Sequence, residues 1–165
     1  VEVDENDDIY VSDWGNNRVQ IFTGVGDLKN TFGKTGSGDA EFQRPTGISV
    51  DSHGDIYVAD WGNNRVLQFN SGGDQVWSFQ GDATLSKVAR NYMLTNAVPN
   101  RLRESGRLED ERYIRRPRSV RIDEDFRLFI PDFESYRVQV YQKDFIELDK
   151  TQFAAPLRNP TLEVT

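Results

Sequence analysis

The sequence predicts an all-β chain built from three small antiparallel sheets in series, and three observations predict it. First, Asp60–Trp61–Gly62–Asn63–Asn64–Arg65–Val66 repeats almost letter for letter at Asp13–Val19, and in worn form as Asp132–Phe133–Glu134–Ser135–Tyr136–Arg137–Val138. Second, apolar β-type runs flank every copy: Ile9–Tyr10–Val11, Ile56–Tyr57–Val58 and Leu128–Phe129–Ile130 before it, Val19–Phe22, Val66–Phe69 and Val138–Tyr141 after it. Third, clusters of Asp, Asn and Gly separate the runs, and no helical period runs through them.

The second unit shows the pattern most fully. Pro45–Thr46–Gly47 leads into a strand, Ile48–Val50, and Asp51–Asp55 forms a turn. Strand Ile56–Val58, the DWGNN turn, strand Arg65–Phe69, the turn Asn70–Asp74 and strand Gln75–Phe79 follow. The first unit runs from Val1–Glu2–Val3 to Thr31–Phe32–Gly33, with Gly36–Ser37–Gly38 as a flexible connector. The third opens at Arg116–Pro117, with Pro117 matching Pro45, and reaches Ile146–Leu148. Four antiparallel strands per unit, repeated in series, are the sequence form of a β-propeller.

The copies begin at residues 13, 60 and 132, so the second spacing is longer than the first. The extra residues, 82–112, carry Leu85, Val88, Ala89, Tyr92 and Met93 on one helical stripe. The boundaries read from this pattern are blade 1 at 1–34, connector and blade 2 at 35–81, helical insertion at 82–115, and blade 3 at 116–150. A tail or the start of a further strand occupies 151–165. In a four-stranded meander the second turn and the onward connector share one face, so the insertion is expected on the DWGNN side.

Composition narrows the function. The chain has 165 residues, no cysteine and a net charge of −7, which excludes disulfide and thiolate chemistry and argues against general binding to nucleic-acid phosphates. The charge is uneven: residues 82–121 hold ten Lys/Arg against five Asp/Glu, a local +5. No apolar run is long enough to span a membrane, so no membrane partner is expected. The lack of cysteine and of a visible signal peptide favours the cytoplasm.

Asp13/Arg18, Asp60/Arg65 and Asp132/Arg137 recur at one spacing in every unit, worn copy included, and are read as structural pairs that fix the turn. Trp14, Asn16, Asn17, Trp61, Asn63 and Asn64, with Phe133 and Tyr136 in the worn copy, are the candidate contact surface. Arg101, Arg103 and Arg107 head an Arg-rich stretch, 101–121, that suits an anionic partner, RNA among them. Aromatic interleaving is thin there, with only Tyr113 nearby.

Other chemistry finds little support. Asp4–Asp8 has the Asp-x-Asn-x-Asp opening of a calcium loop, but Ile9 and Gly15 stand where Gly and Glu are needed. His53 is the only histidine and lies on the turn opposite DWGNN, so neither a zinc site nor a nucleophile–His–acid set assembles. The glycine-rich segments lack a phosphate-loop lysine. No enzyme activity, cofactor or metal is expected.

The strings Pro45-Thr-Gly-Ile-Ser-Val-Asp51, Asp55-Ile-Tyr-Val-Ala-Asp60 and Asn63-Asn-Arg-Val-Leu-Gln-Phe69 resemble the NHL repeat, a propeller blade. The resemblance covers most of 1–150 outside the insertion. It implies an NHL-type toroidal propeller, commonly six-bladed, that serves as a binding platform for protein, RNA or small ligands, while a minority of relatives are metal-dependent lyases or other enzymes. This chain lacks the histidine set expected of those lyases. Three units cannot close a ring, since propellers have roughly four to eight blades. The remaining blades are expected from the rest of a longer chain, or from a second copy that would double the mass seen by light scattering. The function expected is a non-catalytic scaffold that binds a protein or ligand through the DWGNN face and the 82–112 insertion.

Overall fold

A computed structural model describes residues 1–81, 95 and 112–144. Strands β1 (Glu2–Val3), β2 (Ile9–Asp13), β3 (Arg18–Phe22) and β4 (Leu28–Phe32) form the first sheet in sequential order. A short parallel pair, β5 (Lys34–Thr35) with β6 (Glu41–Phe42), closes the connector. Within it the backbone N–H of Gly38 donates to the Glu41 carboxylate at 2.8 Å, so the stretch read as flexible is knitted into a loop. The second sheet comprises β7 (Pro45–Val50), β8 (Ile56–Asp60), β9 (Arg65–Phe69) and β10 (Gln75–Phe79). The third holds β11 (Arg121–Ile122), β12 (Arg127–Asp132) and β13 (Arg137–Gln142). Its expected fourth strand, Ile146–Leu148, lies outside the described residues.

Period-two alternation distributes side chains between the sheets. Ile56 and Val58 of β8, with Leu67 and Phe69 of β9, join Tyr10, Val19, Ile21 and Phe42 in a core between the first and second sheets. Tyr57, Ala59 and Val66 turn the other way and join Ile114, Val120, Ile122, Leu128 and Ile130 between the second and third. Blade 2 is therefore buried on both faces, and all five residues of β8 are shielded from solvent. Each such apolar side chain contributes roughly 1.5–3 kcal/mol by leaving water.

Blades 1 and 3 each bury one face. The outward face of blade 1 carries Val3, Ile9 and Phe22, paired across β1, β2 and β3. That of blade 3 carries Phe129 opposite Val140 and Pro131 opposite Val138. Val3, Val138 and Val140 are more than half exposed. The two faces differ in kind. Ile9 and Phe22 match Ile56 and Phe69, which in blade 2 receive the preceding sheet; Phe129 and Val138 match Tyr57 and Val66, which receive the following one.

The inner strands approach closely. A Cβ on Gly47 in β7 would fall 2.6 Å from the Ser119 Cα of the next blade. The insertion is rooted at a similar pinch: Gly81, at φ 104°, has no room for a Cβ against the Arg112 carbonyl, and the Ile114 N–H donates to the Gln80 carbonyl at 2.8 Å. The stripe Leu85–Met93 lies outside the described residues. Thr95, the one described residue between positions 82 and 111, is helical and exposed.

Candidate functional site

The DWGNN turn is a single 3-10 turn closed by a left-handed residue. In blade 2 it spans Trp61–Asn63, with Asn64 at φ 55°, ψ 42°. Blade 3 repeats it over Phe133–Ser135, with Tyr136 at φ 52°, ψ 41°. Asn tolerates this conformation because its short amide bonds locally. Tyr136 holds the same angles without that help and is almost fully exposed.

The aspartate before each turn ties it to the incoming connector. Asp60 accepts from the Gln43 backbone N–H (2.7 Å), the Asn63 amide (2.8 Å) and Arg65 Nε (3.0 Å). Asp132 accepts from the Arg115 N–H (2.7 Å), Arg137 Nε (2.7 Å) and the Gln139 amide (3.2 Å). Arg65 donates onward to the carbonyls of Gly38 and Glu41, and Arg137 to that of Tyr113. In blade 1, Asp13 bonds Asn16 and Arg18 within its own turn. Exposure grades the pairs: Asp60 and Asp132 are fully buried, whereas the Asp13 side chain keeps 21% of its surface. The Asn16 amide and then Arg18 hold the Asp13 carboxyl below its ordinary value. Burial pushes the Asp60 carboxyl up despite its three donors.

The second asparagine of each turn reaches the next blade. Asn17 Oδ1 accepts the Arg44 backbone N–H at 2.7 Å, and Asn64 Oδ1 accepts that of Arg116 at 2.9 Å. Both arginines precede proline and sit in the left-handed region, at φ 56° and 50°. Sterics disfavour that conformation for any residue with a Cβ, at about 1–2 kcal/mol. The asparagine bonds hold it in place.

Guanidinium groups lie over the aromatic rings of this face. Arg116 Cζ lies 4.9 Å from the centre of the Trp61 ring and Arg44 Cζ 5.9 Å from it, while Arg118 Cζ is 4.0 Å from Phe133. All fall within cation–π range. Trp14, Arg44, Thr46, Trp61 and Arg118 line one open groove of about 360 Å³ across three blades. Trp14 is 62% exposed and Phe133 51%.

The structure thus sorts the sequence candidates. Trp14, Trp61 and Phe133 lie on one face and Tyr136 stands out into solvent beside them. Asn16 and Asn63 bond their own turn aspartates, and Asn17 and Asn64 bond the next blade. Arg101, Arg103 and Arg107 lie outside the described residues. Arg116 and Arg118, from the Arg-rich stretch expected to suit an anionic partner, meet this face, as does Arg44, whose one sequence signal is the Arg-Pro shared by Arg44–Pro45 and Arg116–Pro117.

The opposite face is occupied by turn chemistry. Asp4, Asp51 and Asp123 each accept two backbone N–H groups of their own turn. Lys143 Nζ bridges Asp51 (2.6 Å) and Asp55 (2.8 Å), and His53 stacks on Phe126 at 4.8 Å. No metal-ligating cluster occurs among the described residues. Tyr10 and Tyr57 point their hydroxyls at Asp4 and Asp51. Burial, then the bond to Asp4, pushes the Tyr10 hydroxyl up to about 12; Tyr57 moves the same way through burial and the charges of Asp51 and Asp55. A phenol whose folded value is raised contributes stability that is whole below its unfolded value near 10 and lost as pH climbs through 12. Denaturant midpoints measured across that window are expected to fall as pH rises. Tyr10→Phe is expected to flatten the decline; an unchanged slope refutes the assignment.

Successive antiparallel sheets packed face on face around close inner strands define a segment of a β-propeller. The NHL repeat model matches residues 1–22 and 42–69, so the first two blades carry NHL repeats in a β-propeller fold. A solved structure of a streptogramin B lyase is similar at 13% identity and TM-score 0.51, over 86% of this chain and 39% of that one. A structural genomics protein of unknown function from Bacteroides thetaiotaomicron is similar at 17% identity and TM-score 0.56, over 82% of this chain and 32% of that one. These likenesses are of fold, and the chain spans less than half the length of either protein. No curated protein matches it by sequence. Among the described residues no helix is long and apolar enough to cross a membrane.

Proposed function

We propose that this chain is a non-catalytic part of an NHL-repeat propeller that binds a protein or small ligand on its DWGNN face, with the 82–112 insertion beside that surface. One observation carries the reading: aromatic rings and guanidinium groups from three blades are gathered on one face, with Trp14 and Phe133 more than half exposed. Aromatic and arginine side chains are the types enriched at binding hot spots. The pinch at Gly81 and Arg112 sets both ends of the insertion near Asn63 and Asn64. Among the described residues the turn aspartates and asparagines are engaged in hydrogen bonds within their turns or to the next blade, which supports a binding role over an acid–base one.

The test is recovery of partners by the full-length protein. Trp14→Ala with Phe133→Ala, and separately deletion of 83–112, are expected to lose partners that the wild type retains while the circular dichroism stays the same. Identical recovery by all three proteins overturns the reading. An enzyme role like that of the lyase sharing its fold would need catalytic groups beyond this chain, because His53 lies on the far face.

A further inference from the structure

We infer that the groove lined by Trp14, Arg44, Thr46, Trp61 and Arg118 takes a phosphate monoester carried on a flat ring. The inference rests on the platform reading above and names the ligand chemistry of that surface.

Charge comes first. The chain carries a net −7, yet this groove is lined by two arginines and no carboxylate. Among the described residues, the ion pairs of nearby arginines go elsewhere: Arg116 to Glu134 at 3.1 Å and Arg121 to Glu2 at 2.9 Å. Neither Arg44 nor Arg118 pairs with a described carboxylate. A guanidinium stacked on a ring uses its face and keeps its in-plane N–H donors for an oxyanion. Arg118 Cζ lies 4.0 Å over the Phe133 ring and Arg44 Cζ 5.9 Å from the Trp61 centre, both within the range of such contact. Two such groups on one groove suit a dianion better than a single carboxylate, because each offers a fork matched to two oxygens.

Backbone strain adds a second, independent observation. At φ 56° the Arg44 position is one that glycine fits without cost, and Arg116 repeats the case at φ 50°. The chain keeps arginine at both and holds each with an asparagine from the preceding turn. At Arg44 this backbone holds a guanidinium on the groove; at Arg116, outside the groove lining, it holds one over the Trp61 ring.

The rings supply the third. Trp14 and Trp61 flank the groove from adjacent blades, and Trp14 keeps 62% of its surface open. A ring stacked there is sequence-tolerant in its chemistry, since any π-face serves. The occupant is therefore compact, flat at one end and doubly anionic at the other.

Phenyl phosphate, inorganic phosphate and phenol, titrated against the full chain by tryptophan fluorescence and calorimetry, test the assignment. Phenyl phosphate is expected to bind at least about tenfold more tightly than either part alone, a gap of about 1.4 kcal/mol. Arg44→Gln and Arg118→Gln are each expected to weaken it by about tenfold, and rising salt to weaken it further. Arg121→Gln, outside the groove, is expected to leave it unchanged. Adenosine monophosphate and O-phosphotyrosine form the arms that separate a nucleotide from a phosphorylated side chain. Equal affinity for phenol and phenyl phosphate, or indifference to both groove substitutions, overturns the inference. If partner recovery still depends on Trp14 and Phe133 in that event, the ligand class falls and the platform stands; if it does not, both fall.

Discussion

Asp60→Ala is expected to destabilise the fold by about 3–5 kcal/mol, the loss typical of removing one member of a buried ion pair. The Asp60 side chain is fully buried and that of Arg65 is 10% exposed. Truncation strands the guanidinium, the Gln43 N–H and the Asn63 amide together. Asp13→Ala in the matching position of blade 1 is expected to cost about 1 kcal/mol, because that pair is solvated. Burial has already raised the Asp60 carboxyl, so the ionised pair is partly offset by desolvation. Asp60→Asn should therefore lose less than Asp60→Ala, since an amide oxygen still accepts from Gln43. Urea denaturation of the three variants checks the order. Equal losses at Asp60 and Asp13 would show that burial does not set the worth of the pair.

Phe42→Ala is expected to cost a similar 3–5 kcal/mol, the range for deleting a fully buried phenylalanine. Phe42 belongs to the connector, not to a blade, yet it has no solvent exposure. Its ring packs 5.6 Å from that of Phe69 and closes the core between blades 1 and 2. Ile114 does the same between blades 2 and 3. Thermal or chemical denaturation measures the effect. A loss below about 1.5 kcal/mol, the scale of a tolerated hydrophobic exchange, would mean that the connector lies on the core without being part of it.

The strands were legible because their code is local. Turn residues and β-type runs recur in register, and a four-stranded meander follows from their order. The Gln43–Asp60 bond places the first connector beside the second turn of blade 2, while the matching expectation for the insertion falls on 82–112, outside the described residues apart from Thr95 and Arg112. What the sequence did not disclose depends on contacts between units. Asn17 and Asn64 read as turn formers, which they are, but their side chains serve the following blade. Arg44 and Arg116 read as charges before proline, and nothing in a dipeptide announces a left-handed backbone there. Ile114 read as part of the insertion because the chain departs from its pattern at 82–112; its burial becomes apparent only once Phe42 is seen in the matching place. The Arg-rich stretch looked uniform in sequence, whereas its described members divide among ion pairs, connector bonds and rings.

The asparagine bond between blades has a direction: the amide belongs to the earlier blade and the captured N–H to the later one. Blade 3 meets whatever follows it with Tyr136, which offers no side-chain carbonyl at that position. A sheet that packs against Phe129, Pro131, Val138 and Val140 must therefore be joined by apolar contact and by groups other than this amide. That junction therefore lacks a polar staple that both described junctions share, and its strength rests on how well two apolar faces fit.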